Sequence, residues 1–274
     1  MQRDLFKGAA AGLPPLRPDS FAGESEDIDV AHAAEPFAQP TATTSGTHGN
    51  YDYSPLSWSS YFDRETDLDV PDRGRFRVYS SGTVTRGQPL FVLHHGGGHS
   101  ALSWALCARS LRKLGRGEAA VMAFDCRGHG RSSVPGEDDL SLDALAEDLF
   151  RVISTFVGSE SPDIFLVGHS MGGPVVVRMA SQRRMRIQGV VVIDVVEGTA
   201  LESVQGFGMR RFLDSRPTSF ASPEELIRWS YDSGTVRNLE SARVSMPPQA
   251  MAGKNDRLFW RTNLHASEKY WIGA

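Results

Sequence analysis

Ser170 stands in Gly168-His169-Ser170-Met171-Gly172, a Gly-x-Ser-x-Gly spacing. That spacing suits nucleophilic chemistry. A serine on a sharp turn between a strand and a helix presents its hydroxyl above the sheet edge, and the flanking glycines leave room for a strained backbone. The neighbours agree with such a turn. Ile164-Phe165-Leu166-Val167 reads as a strand directly before it, and Gly172-Gly173-Pro174-Val175 opens a helix directly after it. Pro174 is tolerated there because first-turn amides have no intrahelical partner. The sequence therefore predicts Ser170 as a nucleophile.

Acyl transfer also needs donors for the oxyanion of the tetrahedral intermediate. Backbone amides aimed at that oxygen are worth roughly 10²–10³-fold in rate per donor. His94-His95-Gly96-Gly97-Gly98 follows an apolar strand and lets the backbone approach a substrate. The amides of Gly97 and Met171 are the predicted donors. A tight turn or a phosphate loop would use the same glycines, but no Gly-Lys-Ser/Thr follows, which excludes a Walker loop. His95 reads as a structural turn residue. Asp194 ends Val191-Val192-Ile193, where a carboxylate could orient a histidine. Downstream of Asp194 only His265 occurs, on a segment that reads as a helix face. His129, in Asp125-Cys126-Arg127-Gly128-His129-Gly130, lies upstream, in a loop expected to shape the pocket. The expectation is a chain that lacks its general base and is close to inactive. The scheme calls for no cofactor and no metal.

These residues need a frame. The apolar runs Leu90-Phe91-Val92-Leu93, Ala120-Val121-Met122-Ala123-Phe124, Ile164 to Val167 and Val190-Val191-Val192-Ile193 read as strands buried on both faces of a parallel sheet. Phe76-Arg77-Val78-Tyr79 alternates as a half-buried strand. Helical patterns at 103–114, 142–157 and 171–181 lie between them, which implies βαβ units with right-handed crossovers. Residues 205–270 read as helices and loops without a clear strand, as an inserted cap would. Residues 1–50, rich in Ala, Pro, Gly, Ser and Thr, read as a disordered tail. Residues 51–274 read as one catalytic domain. The 274 residues carry a formal net charge of −4, which argues against nucleic-acid binding. No stretch reaches the ~20 apolar residues of a membrane span, and the N-terminus has no secretory pattern. Cys107 and Cys126 are expected to be buried and reduced. The expected compartment is cytosolic or nuclear.

At this level of detail the chain resembles the protein phosphatase methylesterase family. The resemblance rests on His95-Gly96-Gly97-Gly98-His99-Ser100-Ala101-Leu102-Ser103-Trp104, on Gly168 to Gly173, on Ile193-Asp194-Val195-Val196-Glu197-Gly198-Thr199-Ala200, and on Arg237-Asn238-Leu239-Glu240-Ser241-Ala242-Arg243-Val244-Ser245-Met246. It runs over about residues 56–271. It implies an α/β-hydrolase fold and hydrolysis of the methyl ester on the C-terminal leucine of the type 2A phosphatase catalytic subunit, with Ser170 as nucleophile and Asp194 as acid. It also implies phosphatase contact through residues 237–246, with Arg237, Glu240 and Arg243 as candidates. The chain departs from the family in a short segment at 247–259 and in ending where the family continues. It is thus expected to be C-terminally truncated, to miss the last strands and the histidine, and to expose the strand at 190–193 as a sticky edge.

Overall fold

The computed structural model describes residues 51–194 and 207–273; the predicted disordered tail lies outside the described residues. Six strands form the main sheet: β1 (Arg64–Val70), β2 (Gly74–Ser81), β3 (Pro89–His94), β4 (Ala120–Phe124), β5 (Asp163–His169) and β6 (Ile187–Ile193). Their spatial order is β1-β2-β4-β3-β5-β6. The pairs β4/β3, β3/β5 and β5/β6 are parallel, and β1/β2 and β2/β4 are antiparallel. The parallel part is the one expected from the continuous apolar runs.

Both faces of the sheet are covered. In β4, Met122 and Phe124 point with Leu90, Val92 and Leu166 into a core closed by Leu149, Val152 and Ile153 of α2 (Leu142–Val157) and Val175, Val176 and Met179 of α3 (Gly172–Ser181). Val121 and Ala123 point the other way, with Leu93 and Val167, against Ala105 and Ala108 of α1 (Ala105–Leu114) and the 3₁₀ turn Ala101–Trp104 before it. The pleat makes this division, because successive side chains leave opposite faces. α2 starts where Ser141 caps it, its hydroxyl accepting from the Ala144 amide.

After β6 come α4 (Phe207–Ser215), β7 (Ser219–Phe220), α5 (Pro223–Asp232), α6 (Leu239–Ser245), β8 (Ala250–Ala252), β9 (Leu258–Trp260) and α7 (Leu264–Ser267). The region read as strandless holds a small antiparallel sheet, ordered β7-β9-β8. These strands have two or three residues each, too few to show a period of two in the sequence. They are held by packing: Phe220 and Trp229 meet Trp260 edge to face, and Leu226, Ile227, Ala242 and Met246 belong to the same apolar cluster.

The two sheet edges differ. β1 carries Asp67 and Asp69, which pair with Arg77 and Arg75 of β2, so that edge is charged. β6 carries Val190, Val191, Val192 and Ile193, all exposed at 39–50%. Among the described residues it is paired on one side only.

Candidate active site

Four pieces meet at the carboxyl ends of β3, β4, β5 and β6. The first is the turn after β5. Ser170 has φ +48°, a left-handed conformation that costs a non-glycine residue energy and marks a strained functional turn. The turn is pinned on both sides: the Ser170 amide donates to the Ile193 carbonyl at 2.9 Å, and the Gly173 amide donates to the Ser170 carbonyl at 2.8 Å. The two motif glycines are needed for space. A Cβ on Gly168 would overlap the Gly172 carbonyl, and one on Gly172 would lie 2.5 Å from the His94 carbonyl oxygen. Met171, the predicted donor after the nucleophile, caps α3.

The second piece is the glycine loop after β3. A Cβ on Gly96 would lie 3.2 Å from the Ser170 Cβ, and one on Gly97 would lie 3.8 Å from the Met171 sulfur. The loop therefore lies directly against the Ser170 turn. Two buried histidines hold it. The His95 Nδ1–H donates to the Gly96 carbonyl at 2.8 Å, and its Nε2 accepts from the Cys126 amide at 3.0 Å. The Gly98 amide donates to His129 Nε2 at 2.9 Å, and the His129 Nδ1–H donates to the Arg127 carbonyl at 2.7 Å. Each imidazole accepts through Nε2 and so must be neutral. Burial holds His129 down to about 4 against the pull of its bond to the Arg127 carbonyl, with the Arg261 charge adding to the burial effect, and burial puts His95 well below its ordinary range. His95 is thus the structural turn residue expected, and His129 shapes the loop.

The third piece is the loop after β4. Asp125 is fully buried, and its carboxylate accepts from the Ala101 and Arg131 amides, each at 2.8 Å. Burial pushes its pKa up to about 6, against the pull of those amides. Arg127 forks onto Asp148 of α2 at 2.5 and 3.0 Å, and Arg73 shares that carboxylate at 2.5 Å. In the sequence Asp125 stands only as the first residue of the loop around His129, with no role of its own. Its place at a strand's carboxyl end, beside the glycine loop, was the available signal.

The fourth piece is Asp194, at the end of β6 with φ +61°. Its carboxylate is 78% exposed and lies 3.7 Å from His169 Nε2. Burial lowers the His169 pKa, and the Asp194 carboxylate opposes that shift. His169 stacks on His99 at 5.3 Å and meets Trp104 edge-on at 6.4 Å. No side chain among the described residues hydrogen-bonds the Ser170 hydroxyl. His265 sits on α7, exposed, 3.6 Å from Asp214. It is a helix-face residue, and its neighbour Leu264 is the one that reaches the glycine loop, lying against Gly97 and Gly98.

The α/β-hydrolase family profile matches residues 91–273. Over 202 residues the chain is 44% identical to bovine protein phosphatase methylesterase 1, covering 72% of this chain and 51% of that one. It is 37% identical to protein phosphatase methylesterase 1 of Cryptococcus neoformans, covering 98% of this chain and 76% of that one. The chain belongs to the protein phosphatase methylesterase family of α/β hydrolases. It spans about half the length of the mammalian relatives it matches. Among solved structures, E-2-(acetamidomethylene)succinate hydrolase superposes with a TM-score of 0.58 at 19% identity, covering 77% of this chain and 72% of that one. An α/β hydrolase of Novosphingobium aromaticivorans gives 0.56 at 17%, covering 77% and 73%. These structural likenesses show the fold.

The family segment at 237–246 has its own geometry. Glu240 accepts from Arg109 of α1 at 2.7 Å and from the Tyr61 hydroxyl at 2.9 Å. Arg243 pairs with Asp52 at 2.7 Å and donates to the Ser54 carbonyl at 2.6 Å. Both are engaged within the chain, whereas Arg237 is exposed. Cys126 is buried as expected. Cys107 is exposed, because it lies on the outward side of α1.

Proposed function

We propose that this chain belongs to a serine carboxylesterase acting on the methyl ester of the C-terminal leucine of the type 2A phosphatase catalytic subunit, with Ser170 as its nucleophile. The observation that carries the reading is the strained Ser170 turn lying against the glycine loop. Ser170 Oγ attacks the ester carbonyl carbon, and the new oxyanion accepts from the Gly97 and Met171 amides. The Ser170 hydroxyl proton passes by way of the general base to the leaving methoxide, which departs as methanol; water then attacks the acyl-enzyme, one of its protons returning to Ser170 Oγ as the leucine carboxylate is released. Asp194 is the acid that would orient a general base. Arg237 is the exposed charged residue of the 237–246 segment available for phosphatase contact.

One observation favours a second reading, a phosphatase-binding protein with little turnover. The Ser170 hydroxyl has no hydrogen-bonded base among the described residues. A triad short of one member retains roughly 10³–10⁴-fold catalysis over water, so slow hydrolysis is the expected result. Mass spectrometry of a peptide ending in leucine methyl ester should show slow, steady loss of the methyl group, abolished by Ser170→Ala. Equal loss with Ser170→Ala would remove Ser170 from the mechanism. Phosphatase capture without any ester loss would select the second reading.

A further inference from the structure

The histidines among the described residues differ in what their ring nitrogens are left to do. His95 and His129 spend both nitrogens on backbone groups. His94 is fully buried, with Nδ1 on the His95 carbonyl and Nε2 3.3 Å from the Cys126 sulfur. His265 is exposed on α7 and faces Asp214. His99 stacks on His169 at 5.3 Å, and no carboxylate among the described residues pairs with it. None of these rings has both an acid behind it and a nitrogen free beside Ser170.

His169 has both. Asp194 Oδ2 lies 3.7 Å from its Nε2, which favours the tautomer with the proton on that nitrogen and would stabilise the imidazolium. Nδ1 makes no hydrogen bond among the described residues and is left as an acceptor. Its direction is set by Gly96. The point where a Cβ on Gly96 would stand is 2.9 Å from His169 Nδ1 and 3.2 Å from the Ser170 Cβ. The imidazole nitrogen and the serine therefore face the same spot on the glycine loop, close enough for one water to bridge them. Only glycine leaves that spot open. The His169 side chain is 27% exposed, so water reaches it. His99 on one face and Trp104 at 6.4 Å fix the ring plane. Asp194 and His99 are the titratable groups that face it. Burial lowers the His169 pKa from 6.5, with Asp194 drawing it back up, so the ring is neutral at pH 7 and able to accept a proton.

We infer that His169 is the general base of this chain, receiving the Ser170 proton at Nδ1 through one bridging water while Asp194 holds the ring from the Nε2 side. The inference rests on the proposed esterase reading and names the group that moves its protons. As Ser170 Oγ bonds to the ester carbon, its proton passes to the water and a water proton passes to Nδ1. Collapse of the oxyanion breaks the bond to methoxide, which takes the proton back from Nδ1 and leaves as methanol. A second water then attacks the acyl carbon and gives a proton to Nδ1. That proton returns to Oγ as the leucine acid is released, which ionises in water.

The test uses the whole chain. The rate at which a fluorophosphonate labels Ser170 is measured from neutral to alkaline pH, and loss of the methyl group from a peptide ending in leucine methyl ester is followed in parallel. Labelling of the unmodified chain should be flat above pH 7, because a neutral imidazole already stands ready. His169→Ala should slow it about 100-fold, the lower end for a positioned base because a water intervenes. In that variant the rate should climb with hydroxide, about tenfold per pH unit, and added imidazole should restore part of it. His265→Gln should leave the rate unchanged. Nitrogen NMR at pH 7 should show His169 protonated on Nε2 and bare on Nδ1. A role confined to packing on His99 and Trp104 would give a slower His169→Ala with a flat profile and no response to imidazole, which would overturn the inference. So would a hydroxide-like slope in the unmodified chain, a loss of rate in His265→Gln, or the opposite tautomer. If His169→Ala does not fold, the profile of the unmodified chain and the tautomer decide. If the peptide ester is hydrolysed through Ser170 equally with and without His169, the inference fails while the esterase reading stands. If labelling behaves as expected but the peptide ester is untouched, the base stands and the peptide-ester reading fails.

Discussion

Acidification from pH 7 to pH 5 should destabilise this fold strongly, and the histidines around the glycine loop supply the reason. His94 and His129 are fully buried and His99 is half-buried, and desolvation holds each at about 4, against 6.5 in an unfolded chain. Their folded pKa is depressed. Below pH 6.5 the unfolded chain therefore takes protons that the folded chain refuses, and stability falls as pH falls. At pH 5 each such group costs about 2 kcal/mol, or about 6 for the three. Asp125 acts in the opposite sense. Its folded pKa is raised from 3.8 to about 6, so protonation relieves its burial as pH falls, returning about 1 kcal/mol over the same interval. The net loss is about 5 kcal/mol, a large share of the roughly 5–15 kcal/mol that keeps a domain folded. Urea denaturation followed by tryptophan fluorescence at pH 7 and pH 5 measures it. His129→Gln, whose amide oxygen can accept from the Gly98 amide without titrating, should reduce the pH 7 to pH 5 difference by about 2 kcal/mol. Equal or greater stability at pH 5 would refute the assignment of these rings as neutral in the fold, and an unchanged difference in His129→Gln would refute that of His129 as a buried neutral acceptor.

Gly172→Ala would put a Cβ 2.5 Å from the His94 carbonyl oxygen and should cost about 2–4 kcal/mol in urea denaturation; an unchanged midpoint would mean the turn can open. Asp148→Asn leaves the Arg73 and Arg127 guanidiniums without their shared carboxylate, with an expected cost of about 3–5 kcal/mol, and a cost under about 1 would show those cations find water. Arg243→Glu loses its bonds to Asp52 and Ser54 and should lower the melting temperature, whereas Arg237→Glu should weaken phosphatase capture at an unchanged melting temperature; the opposite pairing would reverse their roles. The exposed β6 edge should self-associate, with light scattering that rises with concentration and falls in Val191→Lys; a clean monomer at all concentrations would show the edge is covered.

The sheet was legible because its central strands are continuous apolar runs, a pattern that few other arrangements produce. Ser170 was legible because strand, turn and helix signals coincide within ten residues of it. The small sheet was not, because Ser219–Phe220 and its partners are too short to carry a period and depend on Trp260 and Trp229 for their stability. The roles of Glu240 and Arg243 were not legible either. Their partners Arg109 and Asp52 are far away in sequence, and a charged helix in a family segment reads the same whether it faces a partner or its own chain. His129 and Asp125 stood in a recognised loop, but which atoms they hold depends on the approach of β3 to β4, which pattern alone does not specify.

The most direct test of the central claim is the site of covalent capture. The chain is incubated with a fluorophosphonate, digested and mapped by mass spectrometry. A single adduct on Ser170, absent in Ser170→Ala and weakened when Gly97 is replaced by a residue that shifts the loop, is the predicted result. An adduct on another residue, or none after prolonged exposure to excess reagent, would contradict the assignment of Ser170 as nucleophile.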